Sequence, residues 1–503
     1  MSTTQTDSSS LHSLDALLGA ISPLEVKNRE GRGNEIMSSL TADSRAASKG
    51  SIFVAVRGTK VDGHSFIPQV VEAGAAAVIC EEIPAEASPS TVWIKVTDSA
   101  EALGRLASAW YGYPSRDLTL VGVTGTNGKT TIATLLYELA RLRGLKAGLI
   151  STVVNKIDDI EVEATHTTPD PLELNALLAQ MVEAGCTFAS MEVSSHAAAQ
   201  HRIAGLDFDG GVFTNLTRDH LDYHKTFANY LAAKKSFFDG LKPEAFTLTN
   251  LDDRNGEVML QNTRARKASY SLRSSADFRG RVVEDRFDGM LLNINGREVE
   301  TLFAGRFNAS NLLAVYGAAT LLGWNDNSEL LIDMSRLVPV AGRFQTVRST
   351  DGVTAIVDYA HTPDALVNVL DTINEIRRPS QHVITVCGCG GDRDRGKRPM
   401  MAKEAAARSW RVILTADNPR SEDAGAIIDE MRTGLDPEAD SRTFANTDRR
   451  EAIRMASAMA APGDVILIAG KGHEDYQILP TGKIHFNDRE EVVKAFANRK
   501  VQS

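Results

Sequence analysis

Residues 124–131, Thr-Gly-Thr-Asn-Gly-Lys-Thr-Thr, have the types and spacing of a phosphate-binding loop. Glycines let backbone N–H groups curl round a phosphate, and a helix that begins at the loop adds the positive end of its dipole. Lys129 is expected to reach the β- and γ-phosphates of a nucleotide, and Thr130 to offer its hydroxyl to Mg²⁺. The predicted nucleotide-binding residues of the loop are Gly125, Thr126, Asn127, Gly128, Lys129, Thr130 and Thr131.

The loop departs from the common form of this motif at one position, because Val123 stands where glycine is usual. The alternative interpretation is a simple glycine-rich turn. Gly-Lys-Thr-Thr at a helix start, directly after an apolar strand, favours phosphate binding instead.

Further polar residues follow the strands that come after the loop. Glu192 lies at the end of an apolar stretch, where an acid commonly reaches the metal of a phosphate-loop site. The segment 215–224 follows the next predicted strand and contains Asp219 and His220. Each residue alone is most simply an ordinary hydrogen-bonded loop group. Several of them on successive strand ends beside one phosphate loop favour a functional cluster.

Alternating strands and helices must hold these residues in place, and this alternation predicts an α/β fold with parallel sheets. We predict three domains, over residues 1–98, 99–344 and 345–503. The predicted strands lie at 52–56, 75–80 and 92–96 in the first domain, at 118–123, 147–152, 187–193, 211–215 and 245–249 in the second, and at 353–357, 383–387, 412–415 and 465–469 in the third. A helix at 129–142 is expected to follow the phosphate loop.

The composition is that of a globular chain of 503 residues, with 55 Lys and Arg against 65 Asp and Glu. The formal net charge of −10 argues against a general nucleic-acid binder. The four cysteines lack the paired spacing of a zinc site and are expected to be thiols in a reducing compartment. No signal peptide starts the chain, and no apolar run approaches the ~18 residues that span a bilayer. We therefore expect a cytoplasmic protein without membrane insertion.

Seven motifs together resemble those of the Mur ligases of peptidoglycan synthesis. They occur in the family's order, at residues 124–131, 191–196, 219–224, 232–234, 307–311, 342–344 and 358–363. The similarity covers nearly the whole chain, and the set is far more specific than any one motif. The resemblance implies an ATP-dependent ligase with a small N-terminal UDP-substrate-binding domain, a central ATP-binding domain and a C-terminal Rossmann-like domain for an amino acid.

The resemblance also implies how metal ions are held. The catalytic set would be Lys129, Glu192, His220 and Lys234. Thr130 and Glu192 would hold one Mg²⁺, and His220 and Lys234 would help hold a second, with Lys234 carbamylated by CO₂ to N6-carboxylysine. A carbamate replaces an ammonium by an anionic oxygen donor that suits Mg²⁺. From the residues alone, Lys234 would be an ordinary helix lysine.

Three more residues are placed around ATP by the same resemblance. Asn308 would face the adenine, Asp358 the ribose and Arg343 the phosphates. Without the family likeness, Asn308 and Asn311 would be assigned to a helix N-cap region.

The segments 165–170, 192–196 and 200–202 resemble those of the Mur ligases that extend UDP-N-acetylmuramoyl-L-alanyl-D-glutamate. The residues expected to contact its sugar–peptide portion are Thr167, Thr168, Ser194, Gln200 and Arg202. The residues expected to contact the uridine diphosphate are Ala42, Ser44, Thr59, Lys60 and Val61. Ordinary turn chemistry remains an alternative for Thr59 and Lys60.

The segment 417–420, Asp-Asn-Pro-Arg, resembles the motif of family members that add meso-2,6-diaminopimelate, whereas members that add L-lysine usually lack this arginine. Diaminopimelate has a second carboxylate at its distal end, which a guanidinium can bind through two parallel hydrogen bonds. Glu474 would accept from the distal ammonium, and Arg393 would bind the other carboxylate. The predicted amino-acid-binding residues are Arg393, Asp417, Asn418, Arg420, Gly470 and Glu474. The alternative is a turn with a surface arginine beside a glycine-rich loop.

The expected reaction transfers the γ-phosphoryl group of ATP to the free γ-carboxylate of the D-glutamyl residue, and the amine of the amino acid then attacks the acyl phosphate. Domain closure would bring amine and acyl phosphate together in a chain that acts as a monomer on small molecules. The alternatives are L-lysine as acceptor, a folate- or cyanophycin-type ligase with the same loop, and a regulatory or motor ATPase that needs no acceptor.

Overall fold

The computed structural model of the chain describes residues 12–59, 61–217, 221–324 and 329–499. Two predicted site residues, Lys60 and His220, lie outside these ranges. Strands and helices alternate through the described chain and form three large sheets in three successive stretches, which confirms the predicted α/β class. The exact domain boundaries at 98/99 and 344/345 remain a prediction.

The first sheet has the strand order β1-β5-β4-β3-β2, parallel except for β1. Its elements are α1 (Leu14–Leu18), β1 (Glu25–Lys27), β2 (Ser39–Thr41), β3 (Ser51–Val54), α2 (Ile67–Glu72), β4 (Ala77–Cys80), β5 (Val92–Lys95) and α3 (Ser99–Trp110). Every residue of β3 and β4 is buried, which explains why these strands are short uninterrupted apolar runs and do not alternate.

The central sheet has eleven described strands in the order β16-β15-β14-β13-β12-β11-β6-β10-β7-β8-β9. Strands β14 to β7 in this order are parallel, and antiparallel hairpins extend both edges. The strands are β6 (Thr119–Thr124), β7 (Ala147–Ile150), β8 (Asn155–Ile157), β9 (Ile160–Val162), β10 (Phe188–Glu192), β11 (Gly210–Phe213), β12 (Phe246–Asn250), β13 (Arg266–Ser271), β14 (Phe278–Arg286), β15 (Gly289–Ile294) and β16 (Arg297–Thr301).

Helices cover both faces of this sheet. They are α4 (Lys129–Leu142), α5 (Pro171–Glu183), α6 (Ser195–Ala199), α7 (Leu221–His224), α8 (Phe227–Asp239), α9 (Gly256–Met259), α10 (Arg306–Leu321) and α11 (Glu329–Ser335). One core joins α4 and α10 to the sheet, and a second joins α5 and α8 to it. Because β6 is central, with β10 and β11 as its direct neighbours, their C-terminal ends meet beside the phosphate loop.

The third sheet has the order β17-β18-β22-β19-β20-β21, parallel except for β17. The strands of this stretch are β17 (Gln345–Arg348), β18 (Thr354–Asp358), β19 (Val383–Cys389), β20 (Arg411–Ala416), β21 (Thr443–Asn446), β22 (Val465–Ala469) and the separate hairpin β23 (Tyr476–Leu479) and β24 (Gly482–His485). Its helices are α12 (Pro363–Ile376), α13 (Lys397–Arg408), α14 (Ala424–Arg432), α15 (Pro437–Ser441), α16 (Arg449–Met459) and α17 (Asp488–Ala497).

All four cysteines are buried and free of disulfides. Burial raises the pKa of Cys387 and of Cys389 to about 12, so both are protonated core thiols at neutral pH. Among the described residues, no helix combines the length and apolarity needed to cross a membrane.

Candidate active site

The phosphate loop joins the end of β6 at Thr124 to the start of α4 at Lys129. Gly125 and Gly128 have φ values of 149° and 88°, which other residues rarely adopt. A Cβ at Gly125 would overlap the side chain of Thr214, and one at Gly128 would lie 2.6 Å from Asn311 Oδ1. Both glycines are therefore required by backbone conformation and by close packing.

Two lysines converge on one carbonyl of this loop. Lys129 Nζ donates to Gly125 O at 3.0 Å and to Thr126 O at 2.7 Å. Lys234 Nζ, on α8, donates to the same Gly125 O at 2.7 Å, and Lys234 is only 1% exposed. Two ammonium groups held this closely repel each other, so the arrangement suits anionic ligands such as nucleotide phosphates.

Several buried polar atoms around the loop have no hydrogen-bond partner among the described residues. They are Thr124 Oγ1, Asn127 Nδ2, Thr217 Oγ1 and Arg343 Nε. Buried polar atoms are normally satisfied, so a cluster of unsatisfied ones beside a phosphate loop fits a polar ligand that binds there.

Glu192 ends β10, next to the phosphate loop, and is 1% exposed. Its Oε1 accepts from Thr152 N at 2.7 Å, and its carbonyl accepts from Thr168 Oγ1 at 2.8 Å. The described residues contain no group of three or more His, Cys, Asp or Glu that could hold a metal ion. Carboxylate and hydroxyl oxygens, such as those of Glu192 and Thr130, are of the kind that Mg²⁺ takes as ligands in proteins.

Arg343 links the phosphate loop to the third sheet. Its Nη2 donates to Thr130 Oγ1 at 3.1 Å, and its guanidinium lies 4.6 Å from the centre of the Tyr359 ring. Asp358, at the end of β18, accepts from Phe344 N at 2.7 Å and from Ala360 N at 2.8 Å, and burial raises its pKa. Both Asp358 oxygens thus fix the backbone that carries Arg343 and Tyr359.

The assignment of Asn308 and Asn311 to a helix N-cap region is wrong, because α10 begins at Arg306 and its N-cap is Gly305. Asn308 lies inside the first turn, where its Nδ2 donates to Ala304 O at 2.8 Å. Asn311 lies one turn further along, close to Gly128 of the phosphate loop. Neither side chain caps the helix, so α10 brings polar amides to the loop from its interior positions.

The residues predicted to contact the sugar–peptide form one connected group. Arg202 Nη1 donates to Thr168 O at 2.7 Å, and its Nε and Nη2 donate to Gln200 Oε1 at 3.1 and 2.8 Å. Gln200 Nε2 donates in turn to Tyr223 Oη at 3.1 Å. Burial lowers the pKa of Arg202 from its usual value, but the guanidinium stays charged at neutral pH.

Ser194 and Thr167 border this group. Ser194 Oγ accepts from Ala197 N and caps α6, while Thr167 Oγ1 accepts from Thr152 Oγ1 at 3.0 Å. The backbone N–H of Thr152 also donates to Glu192. Thr152 therefore connects Thr167, a predicted sugar–peptide contact, to Glu192, a predicted metal ligand.

The described residues that are predicted to contact the uridine diphosphate lie in two turns, one after β2 and one after β3. Ser44 begins a short 3₁₀ helix after Ala42. Thr59 and Val61 lie in an exposed turn closed by the Gly58 N to Val61 O hydrogen bond of 3.0 Å.

The C-terminal ends of β20 and β22 bring four polar side chains together. Lys471 Nζ lies 2.8 Å from Glu474 Oε2, 3.1 Å from Asn418 Oδ1 and 3.5 Å from Asp417 Oδ1. Asn418 Nδ2 also donates to Glu474 Oε2 at 2.9 Å. Gly470, at φ 121°, leaves room beside Asp417, whose Oδ2 would lie 3.5 Å from a Cβ there. Lys471 was not among the predicted site residues, although it stands three positions before Glu474.

The predicted arginines lie beside this cluster. Arg420, at φ 55°, donates from Nη1 to Gly391 O at 2.9 Å and to Asn418 O at 3.3 Å. It forms no ion pair with any carboxylate of the described chain. Arg393 is exposed and donates to the carbonyl of Asp392 in its own loop, so the structure does not bring it into the cluster.

His473 lies close to Tyr359 and near the charges of both Arg343 and Lys471. Its ring centre is 5.1 Å from that of Tyr359, and its Nδ1 is buried without a hydrogen-bond partner in the described chain. Burial, with the nearby charges of Arg343 and Lys471, lowers its pKa to about 3. The imidazole is therefore neutral at physiological pH.

One arginine links the phosphate loop to the third sheet, and the strand ends of that sheet carry a cluster of charged side chains of both signs. This arrangement is that of an enzyme that uses a nucleotide and a small charged molecule. The chain belongs to the Mur ligase family, whose members are ATP-dependent ligases. The family descriptions "Mur ligase family, catalytic domain", "Mur ligase middle domain" and "Mur ligase, glutamate ligase domain" match residues 37–111, 123–319 and 342–472.

One relative, from Parabacteroides distasonis, is 58% identical over 96% of this chain and 99% of its own length. It is named UDP-N-acetylmuramoyl-L-alanyl-D-glutamate–2,6-diaminopimelate ligase. A solved structure of a ligase of that name is 34% identical, covers 96% of this chain and 98% of its own, and gives a TM-score of 0.69. Folylpolyglutamate synthase of Mycobacterium tuberculosis, at 17% identity and a TM-score of 0.58 over 72% of this chain and 90% of its own, shares the fold alone.

Proposed function

We propose that this chain joins meso-2,6-diaminopimelate to UDP-N-acetylmuramoyl-L-alanyl-D-glutamate at the expense of ATP, in the synthesis of a peptidoglycan precursor. The names of the similar ligases support this reaction. The observation that carries it is Arg420, a half-buried cation that pairs with no carboxylate of the described residues and is connected through Asn418 to Glu474, an acid whose Oε1 accepts no hydrogen bond from those residues. Such a pair suits an amino acid whose far end has both a carboxylate and an ammonium.

In this proposal the three domains share the binding of the three substrates. Residues 1–98 bind the uridine diphosphate, through Ala42, Ser44, Thr59, Lys60 and Val61. Residues 99–344 bind ATP and the sugar–peptide, and residues 345–503 bind the amino acid. Arg343, near the end of the central domain, contacts both Thr130 of the phosphate loop and Tyr359 of the third domain, which supports a connection between the ATP site and the amino-acid site.

The loop residues hold ATP and neutralise its charge during transfer. Backbone N–H groups of residues 125–131 and the α4 N-terminus face the phosphates, and Lys129 leaves the loop carbonyls to reach the γ-phosphate. Arg343 adds a second cation from the other side. Thr130, Glu192, His220 and Lys234 are the residues that would hold two Mg²⁺ ions, which supply charge neutralisation between two anions that otherwise repel.

Lys234 is proposed to act as its carbamate. The buried position of its Nζ, on the same carbonyl as Lys129, supports this, because an uncharged or anionic group there removes the repulsion between two ammonium groups. A carbamate also gives the oxygen donor that a lysine lacks.

The acyl phosphate forms on the D-glutamyl γ-carboxylate, held by the group of Thr167, Thr168, Ser194, Gln200 and Arg202. The amino acid is held by Arg420, Asp417, Asn418, Gly470 and Glu474, with Arg393 moving in from its exposed loop to the remaining carboxylate. Its neutral amine attacks the acyl carbon, and inorganic phosphate leaves. We infer that the chain works as a monomer in the cytoplasm, where buried thiols stay reduced.

One phosphate-release assay tests this proposal against its alternatives, which are L-lysine as the acceptor and a folate in place of the uridine nucleotide. Phosphate release would be measured with ATP, Mg²⁺ and the UDP-dipeptide, with diaminopimelate, with L-lysine or with no amino acid. We expect release that depends on both the uridine nucleotide and diaminopimelate. Faster release with L-lysine would make lysine the acceptor, and folates replacing the uridine nucleotide would indicate a folylpolyglutamate-type ligase. Equal release without any acceptor would overturn the ligase proposal.

A further inference from the structure

Lys471 is a fully buried cation at the centre of the amino-acid cluster. It follows β22 and contacts Asp417, Asn418 and Glu474 through its Nζ. A buried ammonium must be paired and hydrogen-bonded to be tolerated, and here three oxygens surround it. The proposed reaction gives this lysine no role, although its three partners all belong to the proposed amino-acid site.

Both protein donors to Glu474 meet on a single oxygen. Lys471 Nζ and Asn418 Nδ2 lie 2.8 and 2.9 Å from Oε2. Oε1 receives no hydrogen bond from the described residues. Lys471 therefore fixes the orientation of the carboxylate and leaves the other oxygen for a ligand donor.

The formal charges of the cluster cancel. Asp417 and Glu474 are negative, and Lys471 and Arg420 are positive. Arg420 belongs to the same cluster, because its Nη1 donates to the carbonyl of Asn418 at 3.3 Å and the side-chain amide of Asn418 donates to Glu474 at 2.9 Å. The next buried cation, Arg449, is already paired with Asp488 at 2.7 Å and adds no net charge.

We propose that Lys471 determines specificity by making this pocket electrically neutral, so that it accepts the zwitterionic far end of diaminopimelate and rejects the lone ammonium of L-lysine. The inference rests on the proposed function and deepens it. An amino-acid head group brings one positive and one negative charge and leaves the pocket neutral. The lysine ammonium would leave one uncompensated positive charge in a partly buried site.

Without Lys471 the same pocket carries one net negative charge, which matches a lone ammonium better than a zwitterion. Glu474 also loses the donor that orients it, so diaminopimelate binds less well. Removal of Lys471 should thus shift the preference from diaminopimelate towards L-lysine. A merely structural defect would instead lower kcat/KM for the two amino acids equally.

The test compares kcat/KM for diaminopimelate and for L-lysine in wild type and Lys471→Met, with the UDP-dipeptide and ATP saturating. We expect the KM for diaminopimelate to rise about tenfold and the ratio of the two kcat/KM values to fall by at least about tenfold, as for loss of one charge match in a buried site. The matched control is Lys494→Met, which removes a surface lysine 2.9 Å from Glu491, also three residues away. Its ratio should stay at the wild-type value.

Lys471→Gln serves as a second variant, because it keeps a hydrogen-bond donor but removes the charge. Circular dichroism and the KM for ATP establish that each variant is folded. An unchanged ratio in a folded variant, or an equal loss with both amino acids, would overturn the role of Lys471. Failure of the proposed function is distinguishable, since wild type would then show no diaminopimelate-dependent phosphate release at all.

Discussion

Arg343 Nη2 donates to Thr130 Oγ1 across 3.1 Å, and this hydrogen bond joins the start of the C-terminal sheet to the phosphate loop. Arg343 is also stacked on Tyr359, which in turn lies against His473. Arg343 is therefore connected, through Tyr359, to the loop that carries Lys471 and Glu474.

We expect Arg343→Ala to lower kcat/KM for ATP by about 10- to 100-fold, because a charge-assisted hydrogen bond is worth about 1.5–3 kcal/mol. Steady-state phosphate release at varied ATP measures this effect. Arg348→Ala is the control, since Arg348 is largely exposed and lies 3.7 Å from Asp288. Equal activity of Arg343→Ala and Arg348→Ala would contradict a nucleotide role for Arg343.

Lys234→Ala is expected to abolish ligase activity, and an added short-chain carboxylate should restore part of it by replacing the carbamate oxygens. Lys235→Ala is the matched control, because Lys235 is the next residue on the same helix and its ammonium pairs with Asp239 at 2.6 Å. Full activity of Lys234→Ala without any carboxylate would refute the carbamate role. Mass spectrometry of the intact protein provides an independent measurement of the modification.

The sequence predicts the parallel strands and the phosphate loop well because their signals are local. The helix predicted at 129–142 is observed as Lys129–Leu142, and the strand predicted at 118–123 is observed one residue later. Strand β14 and the edge strand β16 escaped prediction, since both are rich in charged residues and about half of each strand is exposed. An exposed edge strand resembles a polar loop in composition.

Sequence analysis proposed those candidate site residues whose type indicates a role. It missed residues whose importance depends on their burial in the folded protein. Lys471 looks like a loop lysine in the sequence, and its partner Asp417 lies 54 residues earlier. From the residues alone Asn308 would belong to a helix N-cap region, whereas the family resemblance places it at the adenine; in the structure Gly305 is the N-cap and Asn308 lies within the first turn of the helix. Both outcomes depend on tertiary packing, which no short window of sequence contains.

The stability of the C-terminal domain should fall as pH decreases below about 6.5, in part because of His473. Burial lowers the pKa of this imidazole from 6.5 to about 3, so the unfolded chain binds a proton in that interval and the folded chain does not. The slope contributed is about 1 kcal/mol per pH unit. In His473→Phe, urea unfolding between pH 4 and 6.5 should show a smaller pH dependence, and an unchanged slope would contradict a neutral His473.

Asp488→Asn should destabilise the C-terminal domain by about 3–5 kcal/mol, because it leaves the fully buried Arg449 without a counter-charge. Urea unfolding followed by the fluorescence of Trp410 measures the change. Asp440→Asn, which breaks a half-exposed pair with Arg432 at 3.6 Å in the same domain, is the control and should cost about 0–1 kcal/mol. Similar losses in the two variants would show that Arg449 finds another partner or water.

Arg420→Ala should raise the KM for diaminopimelate at least about tenfold and leave the KM values for ATP and the UDP-dipeptide unchanged, since it removes the cation that pairs with the distal carboxylate. Arg420→Lys should not restore the wild-type KM, because an ammonium cannot form the two parallel hydrogen bonds of a guanidinium. Arg411→Ala is the control at the opposite end of β20, where the guanidinium lies 4.4 Å from the centre of the Trp410 ring. If Arg420→Ala kept the wild-type KM for diaminopimelate, the distal carboxylate would bind elsewhere, and both the assignment of this pocket and its preference over L-lysine would be wrong.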